Sequence, residues 1–128
     1  MGNIKLIKRK FKIDIYDVNV NVYLFPNVTI LSQIFTKFAT KFDLEDDGSL
    51  CYGCIFFNPN DFNEAYYFID LSNISHNLIA HENTHLALRI FGHNNITLNF
   101  DDHEPLALLT GYIAEKIYAI CTKYKTNR

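Results

Sequence analysis

Ile79-Ala80-His81-Glu82-Asn83-Thr84-His85-Leu86-Ala87-Leu88-Arg89-Ile90-Phe91 is the stretch on which the reading of the whole chain turns. A helix rotates about 100° per residue, so residues four apart stack on one face. With His81 at the origin, His85 falls at about 40°, Arg89 at about 80° and Glu82 at about 100°, whereas Ile79, Leu86, Ala87, Ile90 and Phe91 spread from about 140° to about 280°. The spacing predicts a helix over residues 75–91 with an apolar back and a chemical front. Asn83, at about 200°, falls inside the apolar arc. A buried amide needs partners, so Asn83 is expected to tie the helix to sheet or loop backbone.

The front face reads His-Glu-x-x-His. His81 and His85 can share one metal ion, and Glu82 is rotated out of ligand range while staying near enough to reach a water beside that ion. Two neutral imidazoles on a tetrahedral zinc leave room for a third protein ligand and a water, whose pKa zinc lowers to about 7. The carboxylate of Glu82 then serves as the general base. Zn2+ is the expected cofactor.

Outward from this helix the pattern changes period. Residues 10–16 and 19–24 alternate in strand fashion with Asp17 and Val18 between them, predicting a hairpin or two adjacent strands. Pro26-Asn27 breaks that pattern, and Ile30, Leu31, Ile34, Phe35, Phe38 and Phe42 then recur at helical spacing over residues 28–42. Asp46-Asp47-Gly48-Ser49 is a polar turn, residues 50–57 and 65–71 read as strands around a loop at 58–63, and residues 104–124 read as a final helix. The order β-β-α-β-β-α-α predicts an α+β fold, a short mixed sheet packed by an N-terminal helix, the His-Glu helix and a C-terminal helix. All 128 residues are expected to form one domain.

Composition narrows the function classes. A hydrophobic share of 48% with 15% aromatics predicts a folded globule, and a net charge of -2 offers no basic field for nucleic acid. No run approaches the roughly 18 apolar residues of a membrane span. Met1-Gly2-Asn3-Ile4-Lys5-Leu6 lacks the apolar core of a signal peptide, so the expected location is cytoplasmic, with no membrane partner. Cys51, Cys54 and Cys121 are an odd count without a disulfide framework. In a strand the sulfurs of Cys51-Tyr52-Gly53-Cys54 would point to opposite faces unless Gly53 turns the chain, and a small apolar role is expected of them.

For a third ligand the chain offers His93, Asp101, Asp102, His103 and Glu104. The His81-Glu82-x-x-His85 string resembles the zincin metallopeptidases. Their three-histidine branch does not fit, because Leu88 stands where its glycine would be and Phe91 where its third histidine would be. The pattern is similar to the gluzincin branch, in which a glutamate near the start of a later helix completes the site, and Glu104 in Glu104-Pro105-Leu106-Ala107 matches it. The arrangement also looks like small stand-alone zincins encoded in phage genomes, which implies a host-cytoplasm or virion setting. Local chemistry favours Glu104 as well: Pro105 suits a first helical turn, and Asp101 or Asp102 can cap it. Ala107 and Gly111, within about 60° of Glu104, form a strip that would let the His-Glu helix approach. His103 and His93 stay open as alternatives.

The resemblance implies a zinc-dependent hydrolase of peptide bonds, with an extended peptide or protein substrate bound along strand 65–71 as a sheet edge. Tyr112, His103 and Arg89 are candidates to stabilise the oxyanion, Tyr112 first among them. The competing expectation is a structural or assembly protein, for example virion-associated, whose zinc site holds the fold with little or no catalysis and whose partner is another protein.

Overall fold

A computed structural model describes residues 6–46 and 51–125. Most of the expected polar turn after Asp46, the start of the strand expected at Leu50, and both chain ends lie outside the described residues. Strands β1 (Ile7–Ile13) and β2 (Val18–Phe25) form an antiparallel hairpin, followed by α1 (Val28–Phe42), a second antiparallel hairpin of β3 (Gly53–Asn58) and β4 (Asp61–Asp70), then α2 (His76–His93) and α3 (Glu104–Lys125). The sheet runs β1-β2-β4-β3, with β2 and β4 parallel, so it is mixed and the fold is α+β as expected.

Period-two alternation decides which helix each strand faces. Val20, Val22, Leu24, Ala65, Tyr67, Ile69 and Phe57 meet Ile79, Leu86, Ile90, Leu109, Ile113 and Ile117 of α2 and α3 on one face. Phe25, Phe56 and Phe68 meet Leu31 and Phe42 of α1 on the other. β4 is therefore buried on both faces, and its near-continuous run Ala-Tyr-Tyr-Phe-Ile is the composition such a strand requires. Each fully buried Leu or Ile of this core contributes about 1.5–3 kcal/mol.

Two boundaries differ from expectation. The first strand ends at Ile13, because Asp14–Tyr16 form a 3-10 turn that closes at Asp17 in the left-handed region (φ 54). The loop expected at 58–63 is a tight hairpin: Asn58 Oδ1 accepts from the Asn60 amide at 2.9 Å, and β4 already begins at Asp61. The polar start of β4 looks like loop in sequence but is held in the sheet, since Glu64 takes hydrogen bonds from Asn19 (2.7 Å) and Asn21 (3.1 Å).

Strand 65–71, expected as a sheet edge, is not one. β4 pairs with β2 on one side and β3 on the other. The outer strand on the α2 side of the sheet is β3, which α2 contacts directly.

Candidate functional site

The turn into α2 is fixed by a carboxylate. Asp70 is fully buried at the end of β4 and accepts from the Ser72 amide (2.9 Å), the Ser72 hydroxyl (2.6 Å) and the Asn73 side chain (2.6 Å). Ser75 then caps the helix, its hydroxyl accepting from the Leu78 amide at 3.0 Å. Rotation about the helix axis is set by Ile79, Leu86, Ala87, Ile90 and Phe91, all buried against the sheet. Asn83 is buried too, and it ties α2 to the sheet through a side chain where backbone was expected: the Tyr67 hydroxyl donates to Asn83 Oδ1 at 2.5 Å.

With that rotation fixed, the Nε2 atoms of His81 and His85 converge to 3.1 Å on the outward face. Two acceptor lone pairs cannot face each other at that distance unless a proton or a cation lies between them. Two nitrogens on one tetrahedral zinc, each at about 2.0–2.1 Å, stand about 3.3 Å apart, so the pair fits two positions of such an ion. Glu82 lies beside them, its Oε2 3.9 Å from His81 Nε2, yet its residue is only 5% exposed. Burial raises the Glu82 pKa, and His81 and His85 oppose the shift. A cleft of about 340 Å³ opens above the carboxylate, lined by Gly53, Cys54, Ile55, Glu82, His85 and Arg89. Gly53 permits that closeness: a Cβ there would meet the Phe68 carbonyl at 3.1 Å, Leu78 at 3.3 Å and Glu82 Cγ at 3.4 Å.

The structure does not gather the expected third ligand. Among the described residues no three His, Cys, Asp or Glu side chains lie in metal-holding range. Glu104 heads α3 and is exposed. The reason is the apolar stripe Leu109, Ile113, Ile117 and Cys121, which sets the rotation of α3 and leaves Glu104 about 180° from Ile113. Ala107 and Gly111 share its outward face, and nothing lies within 4 Å of a Cβ built on Gly111, so the strip does not mediate helix approach. His103 is exposed in the connection before α3. His93 stacks on Phe62, ring centroids 4.0 Å apart, with Phe57 edge-on at 4.5 Å. Burial and then Arg89 lower the His93 pKa, and its Nδ1 has no hydrogen-bond partner among the described residues.

Tyr112, the first oxyanion candidate, does not line this cleft. Its hydroxyl donates to the Lys12 carbonyl at 3.0 Å and its ring packs on Phe11, both in β1. β1 lies three strand spacings from β3, about 14 Å. Arg89 is the candidate that reaches the cleft, one turn beyond His85 on the same face, with its guanidinium 5.9 Å from the Phe57 ring centroid. Its place at about 80° on the wheel was the available sequence signal.

Comparison with protein-family models, curated proteins and solved structures found no match. No helix among the described residues is long and apolar enough to cross a membrane.

Proposed function

We propose that the chain is a zinc-dependent metallopeptidase, a hydrolase of peptide bonds in which His81 and His85 hold the ion and Glu82 is the general base. The observation that carries this reading is the 3.1 Å approach of the two imidazole nitrogens beside a buried carboxylate. Zinc, when bound, supplies a Lewis acid and brings the pKa of water to about 7. Glu82 takes the proton of the attacking water; burial makes it a stronger base than an exposed carboxylate, and the same group can return the proton to the leaving amine. Arg89 offers charged donors to the oxygen on which negative charge grows. The open side of β3 presents backbone groups to which an extended peptide can add as a strand.

A zinc that only holds the fold is the competing reading, with an assembly partner in place of a substrate. Two features weigh against it. The His81 side chain is 63% exposed, and α2 is already anchored by core residues that do not involve the histidines. Recruiting Glu104 or His103 as a third ligand would require the segment 94–103 and the first turn of α3 to swing toward the outward face of α2. Two histidines alone would leave two positions for solvent and substrate.

The test is metal content by mass spectrometry of the folded protein, with the thermal transition recorded before and after a chelator. One zinc per chain is expected, lost in His81→Ala and in His85→Ala, with an apo protein that stays folded. Absence of zinc from the natural chain would sink the reading, and unfolding on chelation would favour the fold-holding role. Glu104→Ala should keep full zinc affinity, since Glu104 stands apart from the histidines, and a loss of affinity would bring it into the ligand set.

A further inference from the structure

We propose that Cys51 and Cys54 form a reversible thiol–disulfide site at the head of β3, closed by a peroxide and reopened by a small thiol. In a continuous strand, residues three apart are separated by about 10 Å. That exceeds the Cα separation of about 4.4–6.8 Å that a disulfide spans. Here β3 begins only at Gly53, and Tyr52 lies in a bend whose carbonyl accepts from the Asp70 amide at 2.8 Å. The bend brings both sulfurs to the face covered by α1, where they pack on the same aromatic cluster and a side-chain hydrogen bond joins them. Opposite faces were expected only of a continuous strand with no turn at Gly53; here the chain bends at Tyr52, and Cys51 precedes the strand. No disulfide is present. Cys121 belongs to the other core cluster, among α3 residues, and is not a partner for either.

The two thiols are unequal. Both are half-buried, so exposure does not rank them, and what separates them is the hold each has on its proton. The hydrogen bond with Cys51, and then burial, push the Cys54 thiol far above its ordinary pKa and keep its proton in place. Cys51 sulfur attacks one peroxide oxygen and becomes a sulfenic acid as the O–O bond breaks; the other oxygen leaves as hydroxide and takes up the proton that Cys51 gives up, forming water. Cys54 sulfur then displaces the hydroxyl from Cys51 sulfur, and that hydroxyl leaves with the Cys54 proton as a second water. Two thiols and one hydrogen peroxide give one disulfide and two waters. Thiol–disulfide exchange with two equivalents of a small thiol reverses it. None of these steps depends on the metal or on hydrolysis.

The experiment exposes the folded protein to hydrogen peroxide, then alkylates it under denaturing conditions and weighs it. The expected product has lost two hydrogens and takes one alkyl group where the untreated chain takes three, one per cysteine. Dithiothreitol should restore all three sites. Cys51→Ser and Cys54→Ser should each abolish the bridge, and Cys121→Ser should leave it intact. Three alkylated cysteines after peroxide, oxygen adducts on Cys51 without a bridge, or a bridge between two chains would overturn the proposal.

Discussion

Among the described residues β1 and β3 are the two outer strands of the sheet, and their sequences differ in kind. β1 carries Lys8, Arg9, Lys10 and Lys12, all exposed, the charged side chains with which proteins block unwanted pairing at a free edge. β3 is Gly-Cys-Ile-Phe-Phe-Asn, without a charge, and it borders the cleft that holds Glu82, His85 and Arg89. The same sheet thus guards one edge and leaves open the edge beside its chemical groups. Tyr112 belongs to the guarded side and Arg89 to the open one.

The largest test of this contrast is Arg89→Ala. Loss of one donor to a developing oxyanion costs about 10²–10³ in kcat. Peptide hydrolysis by this variant should fall by that amount with KM little changed. Wild-type turnover would remove Arg89 from the site and leave the open edge without a transition-state partner.

Gly53→Ala probes the packing of β3 against α2. The added methyl meets the Phe68 carbonyl at 3.1 Å, which is backbone and yields little. Overpacking of this kind costs about 1–3 kcal/mol. Denaturant unfolding should show a loss in that range. Full stability would mean that β3 stands farther from Glu82 than the structure has it.

On the guarded side, Tyr112→Phe removes one hydrogen bond to the Lys12 carbonyl. Such a bond contributes about 0.5–1.5 kcal/mol. Unfolding should register that small loss while hydrolysis stays at the wild-type rate, and reduced turnover would bring Tyr112 back as a participant. Smaller still is the effect expected on the monomer's own stability from Lys8→Thr, Lys10→Thr and Lys12→Thr combined. Its signature is self-association that rises with concentration in analytical ultracentrifugation, and no rise above the natural chain would mean the lysines do not guard β1.

Much of the fold was legible because its periods are strong. The stripe from Ile30 to Phe42 marks α1 with the bounds the structure has, whereas the wheel around His81 placed Glu82 on the front face with the histidines and gave no sign of its burial beside Gly53. Reading the edge strand failed for a reason visible in the residues: a run apolar on both faces belongs in the middle of a sheet, and β4 is such a run. Glu104 is likewise not where its small-residue strip suggested, being exposed and apart from the histidines. The small residues Ala107 and Gly111 suggested a contact face, but Leu109, Ile113 and Ile117 hold the burial, and an apolar stripe outweighs a small-residue strip in rotating a helix. Which groups line the cleft depends on β3 lying against α2, a contact between segments some 30 residues apart, and no local pattern encodes that.

The most direct measurement is zinc content and peptide hydrolysis of the natural chain and of Glu82→Gln, side by side. One zinc in each, with hydrolysis in the first and a fall of about 10²–10⁴ in the second, is the result expected for a buried general base beside two histidine ligands. Equal hydrolysis by both proteins, or zinc in neither, would contradict it.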